Sequence, residues 1–131
     1  MPHIVIECSS NLRARTDLRA LVDRVHAAAL ATGIFQLGGL RTRVAERDLY
    51  RVADGDPENA FVHVTMRIGA GREVAAKRAA ADAIFAAACE ALAPAFETSP
   101  LGITLELEEI DSEYSRKHNN LHEYVARHKA V

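Results

Sequence analysis

The 131-residue chain has no excess of positive charge: sixteen lysines and arginines stand against eighteen aspartates and glutamates, a formal net charge of -2. Nucleic-acid binders carry a basic excess or a basic face, so no nucleic-acid partner is expected. No apolar run approaches the ~20 residues of a membrane span, and no membrane partner is expected either. The first residues lack the basic stretch and apolar core of a signal peptide. Only two cysteines occur, Cys8 and Cys89, with no metal-type spacing between them. That pattern suits a reducing, cytoplasmic setting, with both thiols acting as small buried hydrophobes. Ser9 and Ser10 lack the flanking glycines of a nucleophile elbow. His118 and His122 lie four apart, as metal ligands on a helix do. They fall in a polar tail with Glu123 as the one nearby carboxylate, so no metal is expected.

What the chain does have is an unusual beginning. Pro2 is small enough for the initiator methionine normally to be removed, which would leave a free secondary amine. The apolar run Ile4-Val5-Ile6 directly behind it reads as a buried strand. The amine is therefore fixed to the end of a core element. An amine in dry surroundings loses solvation for its charged form, and neighbouring arginines lower its pKa further. Starting from ~8 for a main-chain amine, a modest fall gives a base poised near neutral pH. A proline in second place is also simply a tolerated N-terminus, so the rest of the chain has to decide between the two readings.

Nearly half of the residues are hydrophobic and a quarter are charged, enough for one domain with a real core and too few residues for two. A first strand covers about residues 3–8. Leu18, Leu21, Val22, Val25, Ala28 and Ala29 recur at helical spacing, with Thr16 or Asp17 as the cap and Gly33 as the stop. A strand from about Leu40 to Val44 places Arg41 and Arg43 on one face. The turn-rich 54–59 stretch leads into a strand over residues 60–68. Its face of Val62, Val64, Met66 and Ile68 alternates with Phe61, His63, Thr65 and Arg67. A second helix carries Val74, Ala81, Ile84, Phe85, Ala88 and Leu92 on one stripe and is expected to end near Pro94. The last strand runs from Ile103 to Ile110, and a short helix is expected around Leu121 to Arg127.

The order is β-α-β-β-α-β. It predicts an α+β domain spanning residues 1–131, with one four-stranded mixed sheet and two helices on one face. The uncovered face, with Phe61, His63, Thr65, Arg67 and Glu106, is too mixed for a core and too apolar for open water. It is read as a subunit interface, with Arg67 and Glu106 pairing across strands. Three cationic points then draw attention: the Pro2 amine, Arg41, and Arg72 at the start of the second helix. Helix N-termini suit anions and an arginine fork holds a carboxylate, so a small polyanion with a single base is the expected ligand arrangement.

Several stretches together resemble one family. They include residues 2–9, Ala31-Thr32-Gly33-Ile34-Phe35, Gly39-Leu40-Arg41-Thr42-Arg43-Val44, Ala53-Asp54-Gly55, Ala60-Phe61-Val62-His63-Val64, Ile68-Gly69-Ala70-Gly71-Arg72 and Asn119-Asn120-Leu121-His122. In order and spacing they are similar to the 5-carboxymethyl-2-hydroxymuconate isomerases of the tautomerase superfamily. The resemblance implies a homotrimer of tautomerase-type domains using neither metal nor organic cofactor. It implies proton transfer within a small polycarboxylate, in the bacterial breakdown of homoprotocatechuate derived from 4-hydroxyphenylacetate. It also implies Pro2 as the catalytic base, Arg41 as a catalytic residue and Arg72 as a substrate-binding residue, in a site expected to be shared between subunits. A tautomerase of another small unsaturated 2-hydroxy or 2-oxo acid, and a non-catalytic trimeric anion-binding protein, stay open beside this reading.

Overall fold

The computed structural model describes residues 1–129. Strand β1 (His3–Ser9) leads through a 3-10 turn (Ser10–Ala14) to helix α1 (Leu18–Ala31), and a second 3-10 turn (Leu37–Gly39) precedes β2 (Arg41–Arg47). Then come β3 (Ala60–Gly69), α2 (Val74–Thr98), β4 (Leu101–Ile110), a short 3-10 turn (Ser112–Tyr114) and α3 (Leu121–Lys129). The sheet order is β2-β1-β3-β4. Strands β1 and β2 are parallel, β1 and β3 antiparallel, and β3 and β4 parallel. Each parallel pair is bridged by one helix, giving two β-α-β units joined through β1 and β3. The 54–59 stretch connects strands of opposite direction, β2 and β3, that are not neighbours, because β1 lies between them.

Alternation decides which face is covered. Ile4, Ile6 and Cys8 of β1 and Val62, Val64, Met66 and Ile68 of β3 are fully or almost fully buried. They pack with Leu21, Val25 and Ala29 of α1 and with Ala80, Ile84, Ala88 and Leu92 of α2 in one core. The Asp17 carboxylate caps α1 by accepting from the Ala20 N–H at 3.1 Å. Gly33, at φ 78°, ends that helix in a backbone conformation that disfavours a side chain.

Helix α2 departs from expectation in three ways. It continues through Pro94 to Thr98. An interior proline costs about 3 kcal/mol, and the burial of Leu92 and Ala95 on either side of it offsets this by keeping the last turn packed on the sheet. Within the expected stripe, Val74 and Phe85 lie off the buried line, with Val74 61% exposed, while Ala80 and Ala95 lie on it. The helix is also long and apolar enough, by length and composition, to cross a membrane, contrary to the expectation that no apolar run approaches that length. Its many alanines raise its hydropathy, and here its inner face serves the core.

On the far face, register corrects the expected ion pair. In-register pairing sets Arg67 beside Glu108 and Thr65 beside Glu106. Arg67 accordingly pairs with Glu108 at 3.4 Å, and Glu106 instead reaches the His63 ring at 3.3 Å. This face is half-buried along β1 and β3 and exposed along β4.

Candidate active site

The register brings three chain ends to one edge of the sheet. His3 sits opposite both Arg41, at the start of β2, and Arg67, near the end of β3. The N-terminus, the 34–39 loop and the 69–72 loop therefore meet at one place. There a cavity of about 250 Å³ is lined by Met1, Pro2, Ile34, Phe35, Gln36, Gly39, Arg72, Lys117 and His122. The Pro2 side chain is buried, and its ring lies against Gly39, where an added Cβ would sit 3.7 Å from the Pro2 Cδ.

Arg72 is held rather than free. Its Nη1 donates to the Gly69 carbonyl and its Nη2 to the Ile34 carbonyl, each at 3.0 Å. The guanidinium carbon lies 5.3 Å from the centre of the Phe35 ring, a cation–π distance. The fork is thus pre-positioned, and three of its five N–H donors are unpaired among the described residues. Gly71, at φ 107°, supplies the backbone turn that aims this residue before α2 begins.

Arg41 is placed differently. As β2 opens, its side chain shares the uncovered sheet face with His3. Its Nη1 donates to the Gly39 carbonyl at 2.8 Å, so it braces the cavity wall from outside instead of lining it. Its charge is still felt within. Burial first, then the charges of Lys117, Arg41 and Arg72, hold the Met1 amine below its ordinary value. His3 is also lowered, by burial and then by Arg43 and Arg41. The region disfavours additional positive charge and favours an anion.

Lys117, His122, Gln36 and Phe35 are not singled out as site residues by sequence reasoning. His122 enters there only as a metal partner of His118 and as part of the Asn119–His122 stretch that carries the family resemblance, yet it projects from α3 against Gly38 and Gly39. The repeated Gly38-Gly39 beside an apolar loop was the one signal that something must approach closely there. Among the described residues no group of three His, Cys, Asp or Glu is arranged to hold a metal. Cys8, expected to be an inert hydrophobe, has its thiol pushed up to about 11, chiefly by burial.

Solved structures share this architecture. A fused 4-OT described as a symmetric trimer matches with a TM-score of 0.64 at 19% identity, covering 90% of this chain and 93% of that one. A 5-carboxymethyl-2-hydroxymuconate isomerase from Deinococcus radiodurans R1 matches with a TM-score of 0.88 at 32% identity, covering 95% and 93%. A further 5-carboxymethyl-2-hydroxymuconate delta-isomerase structure gives 0.88 at 30% identity over the same shares. The fold is thus of the tautomerase class. A sequence model of the 5-carboxymethyl-2-hydroxymuconate isomerase family matches residues 2–125. The 5-carboxymethyl-2-hydroxymuconate Delta-isomerase of Escherichia coli is 38% identical over 122 residues, 93% of this chain and 97% of that protein. The chain belongs to the 5-carboxymethyl-2-hydroxymuconate isomerase family, and is an isomerase.

Proposed function

We propose that the chain converts 5-carboxymethyl-2-hydroxymuconate to its 2-oxo-3-ene isomer, with the Pro2 amine as the proton carrier once Met1 has been removed. The observation that carries this reading is the composition of the cavity wall, in which Pro2 sits among Arg72, Lys117 and His122 with no carboxylate. The substrate is a dienol with three carboxylates, so it needs cations around it and a single shuttle. Pro2 accepts the proton of the 2-hydroxyl. The electrons move through the diene, the carbon 2–oxygen bond becomes a carbonyl, and the same proton is delivered to carbon 5. Nothing else is gained or lost, and no cofactor is required.

The fall in the Met1 amine supports the assignment. The Pro2 nitrogen lies one residue further in, within reach of the same burial and the same three cations, and a lowered amine is free to accept a proton near neutral pH. Arg72 has donors to spare for a substrate carboxylate. Arg41, on the outer face, is suited to stabilising charge that builds at the 2-oxygen when a neighbouring subunit brings the two together. Trimer formation would cover the half-buried outer face, and a solved structure of like fold, the fused 4-OT, is a symmetric trimer. Two free cysteines and a small free acid as substrate suit a cytoplasmic catabolic enzyme acting on homoprotocatechuate-derived acids.

The test is an intact mass of the purified protein, then ultraviolet monitoring of the triacid. A mass lacking methionine with rapid loss of the dienol absorbance is expected. Methionine removed and no turnover would send the assignment to another unsaturated 2-hydroxy or 2-oxo acid, or to anion binding alone.

A further inference from the structure

The C-terminal segment enters the site by a built fit. A Cβ placed on Gly38 would lie 2.5 Å from the His122 Nδ1 and 2.9 Å from the His122 Cα. The second clash is with backbone, so no rotamer change relieves it, and α3 can seat only on a glycine. Asn119 fixes the seat from its other side. Its Nδ2 donates to the Gly38 carbonyl at 3.4 Å while its Oδ1 accepts from the Leu121 N–H at 3.0 Å, at the start of α3. One side chain thus joins the helix start to the 3-10 turn. The seating carries Lys117 and His122 to the cavity wall opposite Arg72. Neither side chain has an ion-pair or hydrogen-bond partner among the described residues, and the Glu108 and Glu109 carboxylates pair elsewhere, with Arg67 and Lys77.

We infer that Lys117 and His122 are specificity-determining residues that receive the carboxymethyl carboxylate, the charge that separates the triacid from plain 2-hydroxymuconate. The inference rests on the reading of the site given above. Two carboxylates lie at the ends of the conjugated chain: one falls to Arg72 in the cavity wall, and the other, next to the 2-oxygen, to Arg41 brought in by the neighbouring subunit. The third branches from carbon 5 and needs its own partner. Lys117, in the coil before α3, supplies a point charge and His122, on α3, a ring N–H, both in a C-terminal segment that the sheet core does not require. The remainder of the cavity treats diacid and triacid alike, so discrimination resides in this segment.

The experiment compares kcat/KM for the triacid with kcat/KM for 2-hydroxymuconate in the parent and in Lys117→Met, His122→Gln and Gly38→Ala. Any effect of Lys117 on the Pro2 amine is common to both substrates and cancels in the ratio. The triacid-to-diacid ratio is expected to fall about tenfold in each side-chain variant, as for loss of one charge-assisted contact, mostly through KM. Gly38→Ala should lower the same ratio with an unchanged circular dichroism spectrum. Equal losses on both substrates, or an unchanged ratio, would overturn the inference. Calorimetry with propane-1,2,3-tricarboxylate and glutarate, which do not react, keeps the two readings apart. If the parent turns over neither substrate yet prefers the tricarboxylate and loses that preference in Lys117→Met, the proton-transfer reading fails and the carboxylate site stands. If the parent shows no preference, the carboxylate site fails.

Discussion

Two of the protein's concavities have opposite character. One, of about 370 Å³, is a groove where α2 meets β4, lined by Phe85, Cys89, Ala93, Phe96, Glu97 and Ile103. The other, of about 250 Å³, is the cavity at Pro2. The groove is the larger and the more apolar, and by the usual expectation that ligand sites are apolar clefts it would be chosen first. It contains one carboxylate, and one thiol that burial pushes up, and no cation lines it. The smaller cavity gathers a proline, an arginine braced on two carbonyls, a lysine and a histidine. Convergent charge and a lowered amine, rather than volume, mark where this chain can do chemistry.

If that contrast is right, substitutions in the cavity must cost far more than substitutions in the groove. The largest effect is expected for Arg72→Ala. It removes a cation and also the clasp between the Ile34 and Gly69 carbonyls. A fall of about 10²–10³ in kcat/KM is expected, the scale of losing one pre-positioned charge contact. Arg72→Lys restores charge but not the fork, and should recover only part of it. A loss under tenfold for Arg72→Ala would remove the arginine from the site. Arg41→Ala comes next. It should depress kcat more than KM if the guanidinium meets the developing 2-oxygen charge, and KM alone if it only binds. Mixed trimers of Pro2→Ala and Arg41→Ala chains should regain activity if the site spans subunits, and stay inactive if it does not. Pro2→Ala itself keeps a main-chain amine, now primary, so it should weaken turnover without abolishing it.

The ranking can be compared with what was legible beforehand. The two β-α-β units, the buried faces of β1 and β3, and the gathering of Pro2 with Arg72 all followed from period-two alternation and from glycine placement, which are local signals. What escaped was set by distance in sequence. Nothing local told that Asn119 and His122 would travel back to Gly38, because those contacts span more than eighty residues and the seat depends on one missing Cβ. The pairing of Arg67 with Glu108 rather than Glu106 is a question of register, and a slip of two residues keeps every side chain on its face, so alternation alone does not detect it. Pro94 was read by its usual local effect, which the burial of Leu92 and Ala95 outweighs. Arg41 was expected beside Pro2 and lies behind the wall, since alternation fixes a side chain's face but not which subunit's cavity it serves.

A smaller effect separates field from contact. Pro2 must be unprotonated to accept a proton, so kcat/KM should be low in acid, rise through the amine pKa and then level off. Positive neighbours disfavour the protonated amine and so lower that pKa. Lys117→Met removes the largest of the charge contributions that act on the N-terminus, and the pKa must rise. The acid limb should therefore move to higher pH, and further at low salt than at high salt, because an exposed charge is screened. A limb that moved to lower pH, or that ignored both the substitution and the salt, would show that the titrating group is not the N-terminal amine.

The smallest effect belongs to the groove. Phe96 is 58% exposed and lines the groove, not the cavity at Pro2. Phe96→Ser should change stability by no more than about 0.5 kcal/mol, as exposed substitutions do, and leave kcat/KM within about twofold of the parent by the same reasoning. Thermal unfolding and the ultraviolet assay measure the two separately. A large loss of turnover at unchanged stability would mean that the apolar groove communicates with the cavity, and the contrast between the two concavities would no longer hold. A loss of stability that deepened on dilution would instead place Phe96 where subunits meet, leaving the cavity's chemistry untouched.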